Sequence, residues 1–303
     1  MKVIIGFLTF LNDIDRRIIY LFVAISLAIP LVLNVELPPA EMMTAEAFYG
    51  EVERLPIEKG KVVLIAVDWG PNTLAENKGQ FEVAIEHLMR RRIAFALITT
   101  YPLAEPFMKS VPLDVAKRLT REIPNEHWAY GRDWVNLGYR PGGGLMIQSL
   151  AKADNLHAHL IADSLGTPLE DIPAMQGVKT IKDITMLMEF TGLAGALQNW
   201  IQFFQAKEYR PPFVHGCTSI TIPEGHLYFA SGQLVGFFEG VAGAAWYDTL
   251  LSRNYPNRLS SSSIRYNTGL AYAHLVVIAF IIIGNVGLIA TTMQVHTKNQ
   301  GLE

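Results

Sequence analysis

A single cysteine, Cys217, stands in 303 residues, which excludes an intrachain disulfide framework. Basic residues are not in surplus either. The net charge is −3, and a chain without a basic excess lacks the electrostatic footprint of a nucleic-acid binder. Charge is missing altogether from two apolar runs, residues 18–35 and 269–293, neither of which holds Lys, Arg, Asp or Glu. At about 1.5 Å per residue, each run is long enough to cross a hydrocarbon core about 30 Å thick. There is no internal repeat and no low-complexity tract. Three catalytic signatures are absent as well: the Gly-Lys-Ser/Thr of a P-loop, the G-x-G-x-x-G dinucleotide spacing and the Gly-x-Ser-x-Gly elbow.

What is present is a chain of mean hydropathy +0.23, much of it contributed by the two runs. They predict an integral membrane protein with two spans and one soluble domain between them. The division reads as 1–17 cytoplasmic interfacial segment, 18–35 first span, 36–61 acidic juxtamembrane connector, 62–252 α/β domain, 253–268 polar linker, 269–293 second span and 294–303 tail. A cleaved signal peptide fits residues 1–40 less well, because the apolar run is long and no small-x-small site follows it. Orientation rests on basic residues beside the spans. Lys2, Arg16 and Arg17 before the first span favour a cytoplasmic N-terminus, a cytoplasmic C-terminus and an extracytoplasmic domain. The second span gives the opposite signal, with Arg253, Arg258 and Arg265 on its domain side and only Lys298 after it. The first span normally dominates.

Within the domain, residues 62–68 form an apolar, β-branched run, as expected of a strand buried on both faces of a parallel sheet. A Gly-Pro-Asn turn and a helix over residues 73–92 follow. Further strands are predicted at 93–100, 134–138, 184–190 and 212–217, with helices at 113–122, 144–153, 193–205 and 233–251. Residues 154–182 read as irregular, broken by Gly166, Pro168, Pro173 and Gly177. The fold class is therefore α/β: a doubly wound, mainly parallel five-stranded Rossmann-like sheet in the order 3-2-1-4-5, flanked by one transmembrane helix at each end.

Ligands of such sheets bind outside the carboxyl ends of the strands, where each loop also feeds a helix N-terminus. The candidate ligand-binding residues are Asp68, Asn72, Thr100, Gly142, Gly143, Gly144, Thr218 and Ser219, suited to a small anion. Tight strand-to-helix turns require Gly and Pro in any case, so these residue types also have a purely structural explanation. His215 and Cys217, two apart on a strand, point to one face and are candidate catalytic residues with Asp68 or Asp133 as the orienting acid. A cysteine at a strand end is equally a small buried hydrophobe. His157-x-His159 with Asp154 and Asp163 has metal-like composition but loose spacing, so no metal site is expected and no cofactor is specified.

The segment 232–247 carries small residues at 236, 240, 243 and 244 and is apolar nearly all round, fitting burial on its own sheet or in a subunit contact. Asn285 is the deepest polar side chain of the second span, which predicts contact with another helix. The sequence reads as a membrane-anchored subunit or binding module of an oligomeric envelope complex, its partners being the lipid bilayer and itself or other membrane subunits. The alternative is a membrane-tethered hydrolase or transferase using His215 and Cys217.

Overall fold

The computed structural model describes residues 15–205, 209–259 and 262–300. The interfacial segment expected over residues 3–11, residues 260–261 of the expected linker and residues 301–303 of the tail lie outside the described residues. In chain order the elements are α1 (Arg16–Leu33), α2 (Met43–Arg54), β1 (Val62–Asp68), α3 (Leu74–Arg90), β2 (Phe95–Thr99), α4 (Glu105–Glu122) and β3 (Trp134–Tyr139). After them come α5 (Gly144–Lys152), α6 (Leu156–Leu160), β4 (Ile184–Thr191), α7 (Ala196–Phe204), β5 (Phe213–Cys217), α8 (Ile222–Ala230), β6 (Gly236–Glu239), α9 (Gly240–Asn254) and α10 (Ser263–Gln300). They divide into two compact units, Pro39–Ile264 on the one hand and Met1–Pro38 with Arg265–Glu303 on the other.

The second unit is built from α1 and the body of α10. Asp15 caps α1 by accepting from the Arg17 N–H at 2.8 Å, and Asn34 ends it in the left-handed conformation at φ 52°. The two helices touch where Gly269 lets α10 approach Leu27 and where Phe22 meets Phe280 edge-on at 5.9 Å. Thr268 caps the exit from α1 by accepting from Leu37 N–H at 2.9 Å. Both helices are long and apolar enough to cross a membrane, and only 6% and 17% of their most apolar windows are buried. The core helix of a soluble domain would cover those side chains with protein; here Leu21, Phe22, Ile281 and Ile282 stay open.

The α/β unit holds a six-stranded, wholly parallel sheet in the order β3-β2-β1-β4-β5-β6. Continuous apolar runs make the strands, since both faces are covered. Val63, Ile65, Val67, Phe95, Met188 and Phe238 pack under α2, α3, α4 and α9. Leu64, Ala66, Ile98, Leu137, Leu187 and Phe237 pack under α5 to α8 and the segment between α6 and β4. The reversal of strand order falls between β1 and β4, which is where an open sheet of this kind leaves a crevice.

Three differences from the sequence expectation have physical causes. The sheet has six strands, because residues 236–239, expected at the start of a helix over 233–251, form the edge strand β6. Gly236 permits this: a Cβ there would stand 2.3 Å from the backbone nitrogen of Phe48. Gly240, at φ +58°, then separates strand from helix. The acidic stretch 36–61, expected as a solvated connector or a short helix, holds α2, which packs on the domain by burying Ala45, Phe48, Tyr49 and Val52 at helical spacing. Helix α4 begins at Glu105 rather than residue 113, carrying Pro106 in its first turn and Pro112 inside it. The polar linker is also anchored: Arg258 is fully buried and donates to both oxygens of Glu86 at 2.7 and 2.8 Å.

Candidate functional site

Strands β1 to β5 end in loops that present backbone N–H groups, and what fills those groups decides whether a ligand fits. At the end of β1, Asp68 is buried and its carboxylate takes four donors. Thr100 gives its N–H at 2.7 Å and its hydroxyl at 2.9 Å, Thr99 its hydroxyl at 3.1 Å, and the Trp200 indole its N–H at 3.4 Å. Burial raises the Asp68 pKa, and the Thr100, Trp200 and Thr99 hydrogen bonds oppose that rise. Thr100 is therefore not open to a ligand; the chain's own carboxylate occupies it.

The same arrangement recurs along the edge. After β5, Ser219 donates its N–H at 2.7 Å and its hydroxyl at 2.6 Å to Glu76 of α3. After β3, the Tyr139 N–H goes to Glu105 at 3.1 Å. At three of the loops, groups suited to an anion are thus met by Asp68, Glu76 and Glu105. The crevice beside β1 and β4 is closed by α3 as well. Asn77 donates to the Thr191 carbonyl at 3.1 Å, and Gln80 donates to the carbonyls of Cys217 at 2.7 Å and Gly240 at 2.9 Å. Gly192 lies so close to Thr73 that a Cβ would approach its Oγ1 to 2.2 Å.

Cys217 and His215 do project to one face of β5, as alternation requires, and both are buried beneath α7 and α8. They do not form a nucleophile pair. The Cys217 thiol donates to the Phe238 carbonyl at 3.1 Å, and burial pushes its pKa up to about 12. His215 faces Glu189 across the β4–β5 register, Nδ1 to Oε2 at 3.1 Å, in an orientation that makes no aligned hydrogen bond. Burial holds His215 down at about 4. Burial first, then the charges of Asp68 and Glu224, drive Glu189 well above the usual carboxylate range. Burial thus favours the uncharged form of both side chains.

The remaining predicted residues are dispersed. Asn72 is exposed in the turn after β1, and Thr218 is buried. Gly142 and Gly143, at φ +116° and +52°, lead into α5 and lie near a cavity of about 360 Å³ lined by Arg140, Gly142, Ser149 and His159. Gly144 is held close to Asn199 and Phe203 of α7. In that cavity Ser149 Oγ sits 3.2 Å from His159 Nε2, yet its one proton goes to the Met146 carbonyl at 2.8 Å, so His159 is not placed to take it. His157 points elsewhere, to the Met175 carbonyl at 3.0 Å, and among the described residues no cluster of metal-binding groups occurs.

Glu189, Glu76 and Glu105 are the residues that sequence reasoning missed. The one available signal was Glu189 itself, a lone acid in the otherwise apolar strand of residues 184–190. Glu76 and Glu105 lie in ordinary helix first turns, where acids are favoured for capping alone. Comparison of the chain with protein-family models, with curated proteins and with solved structures gave no match.

Proposed function

We propose that the chain is a membrane-anchored, non-catalytic α/β module that serves as a subunit of an oligomeric envelope complex, its domain on the extracytoplasmic side and both termini in the cytoplasm. The observation that carries the reading is the self-filled edge of the sheet: Asp68, Glu76 and Glu105 take the loop donors that a ligand anion would use. A hydrolase or transferase acting through Cys217 needs a thiolate and an approach to it. A buried thiol with its pKa near 12 supplies neither.

Assembly is supported from within the bilayer. The Asn285 amide gives one hydrogen to the Ile281 carbonyl at 2.9 Å and remains exposed, and beside it Gly284 leaves a notch with no atom within 4 Å. A polar amide facing hydrocarbon favours a neighbouring helix that can pair with it, and a glycine notch lets that helix come close. The test is the mass of the purified chain in mild detergent. An oligomer that Asn285→Leu shifts toward monomer is expected; a monodisperse monomer overturns the reading.

A further inference from the structure

The loops whose donors are filled also carry exposed apolar side chains. Leu74 follows β1, Leu103 follows β2, Leu145 follows β3 and Ile220 follows β5; Leu145 is 76% exposed and Ile220 is 89%. Met43, also 76% exposed, opens α2 beside the end of β6, where Thr44 donates to Glu239 at 2.8 Å. Five of six strand ends therefore present a large apolar group along a row about 24 Å wide, at about 4.8 Å per strand. Scattered apolar residues such as Ile57, 64% exposed on the amino edge, need no explanation, but a row along successive strand ends does.

Charge on this edge is engaged locally. Glu76 and Glu105 accept from Ser219 and Tyr139, and the Arg140 guanidinium donates to the Leu137 and Ala162 carbonyls at 3.0 and 2.6 Å. The amino edge of the sheet is more charged: a cavity of about 570 Å³ there is lined by Glu58, Lys59, Lys61, Arg92 and Arg132, of which Lys61, Arg92 and Arg132 pair with Asp183, Glu126 and Asp133.

The places where the chain leaves the domain identify the occupant. Residues 39–43, which continue back to α1, enter the domain at the Met43 end of α2, beside the last residue of β6. Ser263, which opens α10, packs on Gly79 in the second turn of α3, the helix that starts at the end of β1. Both connections to the membrane-crossing helices thus depart from the apolar edge. We infer that this edge rests on the lipid surface, with Met43, Leu103, Leu145 and Ile220 inserted at the boundary of headgroups and acyl chains. The inference rests on the membrane-anchored part of the function proposed above. Insertion is apolar rather than a recognition of lipid charge, because the Arg140 guanidinium of this edge is engaged by backbone carbonyls.

Full-length Leu145→Cys, Ile220→Cys and Ile57→Cys, the last on the amino edge, are labelled with an environment-sensitive thiol dye and reconstituted in phosphatidylcholine vesicles. Wild type is the control, since buried Cys217 should take no dye. Quenching by a shallow nitroxide-labelled lipid is expected to be about twofold stronger or more at 145 and 220 than at 57, and unchanged when phosphatidylglycerol is added. Equal quenching at all three positions overturns the inference. So does cross-linking between copies through 145 or 220 without quenching, which would make a second chain the occupant. A chain released from the vesicles by alkaline carbonate overturns the membrane anchor itself, and the inference with it.

Discussion

Burial drives the Glu189 carboxyl well above its ordinary range and the His215 imidazole down to about 4, so the folded protein disfavours charge on both groups. A carboxyl raised on folding contributes stability that is lost as pH rises through its folded value. A histidine lowered on folding contributes stability that is present above its unfolded value of 6.5 and lost as pH falls to about 4. In the wild type the two slopes oppose one another where they overlap. Glu189→Gln removes the carboxyl's part and leaves that of His215 alone. The amplitude is about 3 kcal/mol, at about 1.4 kcal/mol per unit. Chemical denaturation of wild type and variant from pH 4 to 8 reads this directly, and parallel profiles would refute it. At this scale the sequence revealed residue types well and their occupancy poorly. Asp68, Thr100 and Ser219 were legible as strand-end donors and acceptors, but Glu76 and Glu105, which pair with the other loop donors, come from helices, and no local pattern reports a contact across 143 residues.

Secondary-structure elements differ in how openly they announce themselves. The strands β1, β2, β4 and β5 are apolar throughout or nearly so, and burial on both faces leaves that mark. The edge strand β6 is four residues long and joins α9 through a single glycine, so its apolar residues merge into the helical pattern. Helix α2 hid for another reason: Glu41, Glu46, Glu51 and Glu53 drew attention away from the Ala45, Phe48 and Val52 stripe. The close approach of β6 and α2 predicts that Gly236→Ala destabilises the domain, by about 1–3 kcal/mol or more, since backbone at 2.3 Å cannot give way as a side chain does. A denaturation midpoint equal to wild type would contradict it. Three guanidiniums join α3, α4 and the segment after α9 on the same face of the sheet. Burial alone would raise the Glu86 pKa, but Arg258, Arg118 and Arg90 outweigh it and hold the carboxyl at about 2. Glu86→Gln leaves these arginines around a neutral group, and a loss of about 3–5 kcal/mol is expected in the same assay.

For the molecule as a whole, two apolar runs and an α/β domain were plain in the sequence, because hydropathy and strand–helix alternation are properties of segments. The 3-2-1-4-5 order extends to β6 as a further outward step. Less legible was the use to which the sheet edge is put, since that depends on side chains brought together from distant loops. The Glu76 carboxylate on Ser219 has a consequence at this scale. In effect the Glu76 carboxylate stands where an outside anion would, tethered by its own helix at a high effective concentration. Exchanging it for a soluble anion should take a single change. Glu76→Ala is expected to lose about 1 kcal/mol of stability and to regain it in millimolar inorganic phosphate, while the wild-type melting temperature ignores the salt.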